Sequence, residues 1–266
     1  MLKTAILAAQ KAGDYLLKNF GKVKKIIKKG DRNLATEIDL TAEKIIVDIL
    51  KKKFPTHQIL SEETEKDLIE KEEFLWIIDP LDGTHNYIHK IEIFGVSIAL
   101  SYKDEIILGV IYLPFTKELY WAQKNKGSFL NRKRIKVSQV KILKKASVSF
   151  DSAIRIDKDR ILKVLGRISE SVFNIRMFGS SARVLSYLAS GKLDIAIEFS
   201  DYAWDCAAGK ILIEEAGGKF TYLDGSKWSL EKRGYLASNK YCLLYTSDAA
   251  DDGESVDLGS RRSIKK

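Results

Sequence analysis

The sequence predicts a mixed α/β protein of two lobes, an α+β lobe over residues 1–143 and an α/β lobe over residues 144–241. Three observations predict it. Helical and strand periodicities alternate along the chain, as they do in layered α/β architectures. A strand-rich stretch between residues 94 and 122 gives way to a second half in which strands and helices take turns. The 266 residues suit one large domain or two packed lobes, and no internal repeat or Pro-rich linker interrupts them.

The first helix is read from Leu2, Ala5, Ile6, Ala9, Ala12, Leu16, Leu17 and Phe20, which recur at helical spacing until Gly21. Lys22, Lys24, Lys25, Lys28 and Lys29 alternate with Val23, Ile26 and Ile27, so this segment reads as a strand edge guarded by solvated lysines. A second helix follows Asp39, with Ile45, Ile46, Ile49 and Leu50 on one face and Pro55 beyond its end. Two short strands come next. Gln58-Ile59-Leu60 runs into Glu62 and Glu63, and Phe74-Leu75-Trp76-Ile77-Ile78 runs into Asp79. Strands are predicted over 94–100, 106–112 and 119–122, and Asn131-Arg132-Lys133-Arg134 is a basic turn. In the second half, 146–150 and 194–199 read as strands. Residues 157–169, 181–189 and 205–216 read as helices, the last stopped by Gly217-Gly218.

Composition excludes several classes. No apolar run reaches the roughly 18–20 residues that span a bilayer. Residues 1–20 are broken by Lys3, Gln10, Lys11, Asp14 and Lys18, unlike a signal peptide, so the expected location is the cytoplasm. Cys206 and Cys242 are too few for a disulfide framework or a Cys-rich metal site. The net charge of +9 admits three readings: nucleic acid, an anionic substrate, or a lysine-rich surface.

The densest chemical signal is Trp76-Ile77-Ile78-Asp79-Pro80-Leu81-Asp82-Gly83-Thr84. A buried strand delivers Asp79 to its end, Pro80 ends the pairing, and Asp82 follows across a turn. Gly83 allows close approach of a ligand to the backbone. Two carboxylates held this near repel unless a cation lies between them, and oxygen donors without Cys or His suit a hard ion such as Mg²⁺. A plain turn is the alternative, since Asp, Pro and Gly all form turns. Ser61-Glu62-Glu63-Thr64 ends the preceding strand and could bring its acids beside Asp79. Trp204-Asp205-Cys206-Ala207-Ala208-Gly209-Lys210 sets one acid at the start of an apolar helix, where it could cap the helix, bind metal, or do both. His57, His85 and His89 stand in no triad context.

These three segments, in this order, resemble the signature of the inositol monophosphatase family over about residues 1–241. The resemblance implies a layered αβαβα sandwich, shared with fructose-1,6-bisphosphatases, and an active site between the two lobes. It implies a phosphoric monoester hydrolase that uses two to three Mg²⁺ ions. Glu62, Asp79 and the carbonyl of Leu81 would hold one ion, and Asp79, Asp82 and Asp205 a second, with Glu62 serving a weaker third and Glu63 nearby. Asp39 and Thr84 would orient the attacking water, with Glu62 also catalytic. Gly83 and Thr84 would present backbone N–H groups to the phosphate. Gly179, Ser180, Ser181 and Ala182 match a loop that contacts substrate hydroxyls, and Glu198 matches an acid that reads the sugar ring. Asp205 would touch substrate as well. The resemblance also implies lithium inhibition and a homodimer, with a small sugar phosphate as partner rather than a membrane or nucleic acid.

Three substrates fit that fold: an inositol or related sugar monophosphate, fructose 1,6-bisphosphate, and 3′-phosphoadenosine 5′-phosphate. His85-Asn86-Tyr87 disfavours the last, whose enzymes usually carry Lys-Glu-Phe there, and Asn86-Tyr87-Ile88 resembles the inositol branch. A reading from another class is a basic protein that binds nucleic acid or RNA polymerase and keeps a vestigial site. Two departures stand out. His85 replaces a common Thr, as a neutral surface change or a substrate contact. Arg183 stands where small residues are usual, and is read as a solvent-facing helix residue in preference to a reader of a second anionic group.

From Cys242 onward the hydrophobic periodicity stops. Residues 242–266 read as a non-native, disordered tail that resembles translated adapter sequence, too small and polar to offset its ordering entropy. An acidic-then-basic interaction tail is the alternative. Truncation after Tyr241 is expected to leave the melting temperature and the phosphatase activity unchanged, and thermal melts with an activity assay check it.

Overall fold

The computed structural model describes residues 1–28, 34–63 and 73–242. Helix α1 (Leu2–Asn19) turns Ala5, Ala8, Ala9, Ala12 and Leu16 inward. A two-stranded ribbon follows, β1 (Ile26–Lys28) antiparallel to β2 (Leu34–Thr36). Helix α2 (Glu37–Lys53) begins before Asp39, not after it. The cause is a capping box. The Thr36 hydroxyl accepts from the Ile38 amide at 3.1 Å, and the Asp39 carboxylate accepts from the Thr36 amide at 2.9 Å.

Strands β3 (Gln58–Ser61) and β4 (Phe74–Asp82) run parallel. β4 continues through Pro80, where the sequence reading stopped it, because a β-bulge between Asp79 and Asp82 absorbs the residue that cannot donate. The short helix α3 (Thr84–Ile88) leads into β5 (Gly95–Tyr102), β6 (Glu105–Leu113), β7 (Glu118–Gln123), β8 (Gly127–Leu130) and β9 (Lys133–Ile135). β3 to β9 form one seven-stranded sheet in chain order. Lys133 and Arg134 lie in β9 and not in the turn assigned from sequence.

The second sheet collects β10 (Ser147–Phe150), β11 (Asn174–Arg176), β12 (Ile195–Glu198), β13 (Lys219–Thr221) and β14 (Tyr235–Ser238) in the order β11-β10-β12-β14-β13. Between its strands come α4 (Lys158–Ser171), α5 (Ser181–Ala189) and α6 (Ala203–Glu215).

The two faces of each sheet account for the layers. Trp76, Ile78, Val96, Ile98 and Val110 pack against α1 and α2. Leu75, Ile77, Ala99, Ile111 and Tyr120 point the other way, onto α5 and α6. Ala196, Tyr235 and Ala237 of the second sheet close over the same two helices, while Val148, Ile195 and Ile197 face α4. The order is therefore αβαβα, as the sequence predicts. Cys206 and Cys242 are free and buried. Cys242 packs in the α4 core and so belongs to the folded chain, which moves the start of the tail past it; truncation after Tyr241 removes this core residue and is expected to lower the melting temperature, against the expectation from sequence. Residues 243–266 of that tail lie outside the described residues.

The middle layer is tight. A Cβ on Gly209 of α6 would come within 2.5 Å of Leu185 Cβ on α5. Gly209→Ala is expected to destabilise by about 1–3 kcal/mol through overpacking. In a denaturation cycle, Gly209→Ala combined with Leu185→Ala should cost less than the sum of the two single changes; full additivity would contradict the contact.

Candidate active site

The parallel pairing of β3 with β4 brings both strands out at the same edge. The Glu62 amide donates to the Ile78 carbonyl at 3.2 Å, which sets Glu62 beside Asp79. In a regular strand Asp79 and Asp82, three positions apart, would face opposite sides. The bulge cancels this. Asp79 pairs with Ser97 and Asp82 with Gly95, two positions apart, so both acids share the inner face. Leu81, one residue before Asp82, packs instead with Trp76 and Ile78 on the outer face.

The inner face meets the first turn of α6 and the start of α5. Asp205 is the third residue of α6 and accepts from the Tyr202 amide at 2.7 Å; Tyr202 is the N-cap. Ser180 caps α5 and its hydroxyl donates to Asp82, whose other oxygen accepts from the Ser181 amide at 2.9 Å. Gly179 sits in the left-handed region, at φ +63. Asn86 holds this loop by donating to the carbonyls of Phe178 at 2.8 Å and Gly179 at 3.1 Å. Ala182 is buried in the α5 core.

Behind β4, Thr84 Oγ1 lies 3.0 Å from Asp39 Oδ1 and 2.9 Å from the Leu81 carbonyl. Gly83 caps α3 at φ +81, and a Cβ there would meet the Ile93 carbonyl at 2.8 Å, so the position requires glycine. Burial raises the pKa of Asp39, against the hydrogen bonds from Thr36 and Thr84.

Electrostatics ties these acids together. Burial lifts Asp79 well above the ordinary carboxylate range, and the charges of Glu62, Asp82 and Asp205 lift it further. Asp205 is raised by burial, then by Asp201, Glu62 and Asp82. Burial raises Asp82 to about 6, opposed by Ser180, by the Ala182 and Ser181 amides and by Arg183.

Asp82 and Asp205 open onto a cleft of ≈ 190 Å³ that also takes in Gly179, Ser180, Ser181 and Glu198. Glu62, Asp79, Asp39 and Thr84 are not in its lining. Two further acids, Asp151 and Asp201, line it and were not singled out from sequence. Asp151 directly follows β10 and accepts from the amides of Ala153 at 2.6 Å and Phe199 at 2.9 Å. Its position after a predicted strand was the available signal. Asp201, hydrogen-bonded by the Ser181 hydroxyl, is raised by burial to about 7. Glu198 is raised well above its usual range by burial, then by Asp201 and Asp151. No basic side chain lines the cleft among the described residues.

Arg183 corrects its sequence reading. It is 3% exposed, not solvent-facing, and its guanidinium bonds Glu118 at 3.3 Å and the Glu92 carbonyl at 3.4 Å. His85 is exposed and stacks on His89 at 4.3 Å. Among the described residues, no group of three or more His, Cys, Asp or Glu side chains stands placed to hold a metal ion. Asp79, Asp82 and Asp205 are instead each held by N–H or O–H donors of the chain, Asp79 Oδ1 by the Leu81 amide at 3.0 Å. The set is nonetheless all oxygen, buried and self-repelling, which fits a hard divalent ion.

Comparison with known proteins agrees with this architecture. The profile of the inositol monophosphatase family matches residues 1–251, which extends past Cys242 into the segment read as a tail. The fructose-1,6-bisphosphatase/inositol-1-monophosphatase of Aquifex aeolicus is 39% identical over 83% of this chain and 84% of its own length. Inositol monophosphatase 2 of Solanum lycopersicum is 39% identical over 94% and 97%. Among solved structures, the extragenic suppressor protein suhB from Bartonella henselae superposes with a TM-score of 0.90 at 34% identity, covering 95% of this chain and 98% of that one. The chain belongs to the inositol monophosphatase family. Membership makes it a phosphatase, a phosphoric monoester hydrolase, of a family that is generally metal-dependent. No helix among the described residues is long and apolar enough to cross a membrane.

The raised acids fix a pH dependence. Asp82 at about 6 and Asp201 at about 7 keep protons in the folded chain that the unfolded chain releases near pH 4. Their stability contribution is present below that pH and is lost as pH rises through 6 and 7. His57, lowered by burial, acts with the opposite sign inside this window and is one group against the several raised acids, while Glu105, held low by its bond from Lys124, acts only below the ordinary carboxylate range. In EDTA, the melting temperature is expected to be lower at pH 8 than at pH 5. Calorimetry that finds the reverse would contradict the assignment.

Proposed function

We propose that the protein is a Mg²⁺-dependent phosphomonoesterase that hydrolyses inositol monophosphate or a related sugar phosphate by direct attack of water. One observation carries the reading: Asp79 is buried and pushed upward by three acids from three different segments, a cost that bound cations would reverse. Glu62, Asp79, Asp82, Asp205 and the Leu81 carbonyl are the proposed ligands of two ions, with a third, weaker ion at Glu62. Bound Mg²⁺ supplies a Lewis acid, neutralises phosphate charge and lowers the pKa of water.

The chain's own residues do the rest. Asp39 is held through Oδ2 by Thr36, which leaves Oδ1 for Thr84. A water beside Thr84 gives its proton to Oγ1 as the Thr84 proton passes to Asp39 Oδ1. The amides of Gly83 and Thr84 face the phosphate. Ser181 and Glu198, with Asp151 and Asp201 added by the fold, receive the hydroxyl-rich leaving group, while Ala182, buried in the α5 core with its amide on Asp82, supports the loop from behind. Family resemblance supports the remaining parts of the proposal: lithium inhibition, a cytoplasmic homodimer, and a lobe boundary near residue 143.

A second reading, fructose-1,6-bisphosphatase, is favoured by the first of the two activities that the Aquifex relative is named for. The acidic lining of the cleft weighs against it, since a second phosphate meets no cation there and Arg183 is committed to Glu118. It weighs equally against 3′-phosphoadenosine 5′-phosphate. The reading as a nucleic-acid or RNA-polymerase-binding protein rests on charge alone.

Asp82→Asn and Asp205→Asn are expected to lower Mg²⁺-dependent phosphate release by about a hundredfold or more while circular dichroism stays unchanged. Full activity in either would remove the ligand assignment. Across a panel of phosphate esters, polyol monophosphates should exceed fructose 1,6-bisphosphate and 3′-phosphoadenosine 5′-phosphate in kcat/KM; the opposite order would favour the second reading.

A further inference from the structure

A hollow of ≈ 280 Å³ outside the catalytic cleft lies at the other end of α6. Asp205 stands in the first turn of this helix and Gly217 just past its last, about 18 Å apart at 1.5 Å per residue. Arg134 and Lys136 enter the hollow from β9 and the segment after it, and Lys240 from the segment after β14. All three are exposed, and none makes an ion pair among the described residues. Tyr241 and Gln139 close one side, with Tyr241 Oη 3.2 Å from Gln139 Oε1. Lys141 lies over the Tyr241 ring at 5.2 Å.

The acceptors that would face an anion here are already hydrogen-bonded within the chain. Glu215 is the one acid in the lining, and its two oxygens accept from the amides of Asn125 and Gly127, each at 2.7 Å. The carbonyls at the end of α6 are capped: Ile213 accepts from Gly218 at 2.9 Å, Glu214 from Gly217 at 3.0 Å, and Ala216 from Val137 at 3.2 Å. Among the described residues the three cations make no ion pair, and Lys240 Nζ lies over the Tyr241 ring at 5.1 Å. The wider surroundings have the same sign, for residues 131–150 hold seven lysines and arginines and no acid.

We propose that this hollow is an anion site that takes a phosphate-bearing small molecule, separate from the cleft where phosphate esters are cleaved. Its volume suits one small metabolite. Its donors are one guanidinium, able to bind phosphate through two N–H groups, and two ammonium groups. The catalytic cleft is lined by carboxylates without any cation, so without metal it repels the same ligand. That contrast makes the hollow separately measurable.

The test uses the full chain in EDTA, with inorganic phosphate as the probe and chloride at equal ionic strength as the control. Phosphate at tenfold its half-saturating concentration is expected to raise the melting temperature by about 3–5 °C. The triple variant Arg134→Gln, Lys136→Gln, Lys240→Asn should lose the shift while keeping its melting temperature in chloride and its metal-dependent activity. Asn suits position 240, where φ is +65. Lys136→Gln alone should weaken the phosphate effect severalfold, which keeps the test open if the triple variant folds poorly. No shift in the unaltered protein, or the same shift in the variants, overturns the proposal. So does a single-stranded oligonucleotide that binds through these three residues while inorganic phosphate does not, since the surface is then one for nucleic acid.

Discussion

Helix α6 is buried on every side but the strip of Lys210 and Glu214, and the two sheets are held together by enclosing it. Trp204, Ala207, Ala208, Ile211 and Leu212 are all buried, on several sides of the helix. Gly109 of β6 lets the strand backbone come up against Ala208, and the Ser97 hydroxyl donates to the Trp204 carbonyl at 3.3 Å. With the helix clamped this way, its first turn can sit only at the edge where β4 ends. The apolar packing of α6 thus sets Asp205 opposite Asp79, and no polar contact has to pull the two acids together.

The acids themselves work against folding. Asp79, Asp82, Asp201, Asp205 and Glu198 all have their charged forms disfavoured by burial. The chain limits the cost by lending its own donors: Ser180 and the Ser181 amide to Asp82, Tyr202 to Asp205, Ala153 and Phe199 to Asp151. Charge is also separated in space. The negative groups gather in the interior and at the cleft, while the excess of lysine and arginine stays outside. A positive exterior draws anions toward the molecule over a range set by ionic strength, while the acidic lining of the cleft repels them.

The layered fold was legible because its signals are periodic. The apolar stripes of α1 and α5, the strand runs of β4 to β7 and the glycine stop of α6 are local facts of the chain. The acids at strand ends were legible through a motif, although its three-residue spacing reads as a turn and is in fact a bulge. Asp151 and Asp201 were passed over because each is a single acid among turn-forming residues, and only the convergence of β10, β12 and α5 gives them neighbours. Arg183 was misread for the same reason. Its partner Glu118 lies 65 positions away on β7, so its burial depends on α5 lying between the sheets, which no local pattern reports.

The capping box of α2 joins two events usually treated apart. Asp39 closes the first turn of the helix through Thr36 and in the same geometry orients Thr84 through its other oxygen. Fraying of that turn breaks both bonds together. Helix ends open at a fraction of the free energy that unfolds a whole domain. On the relay proposed for Asp39 and Thr84, a local opening at the start of α2 would stop turnover while the sheets stay joined, so heat or denaturant would silence the protein before they separate.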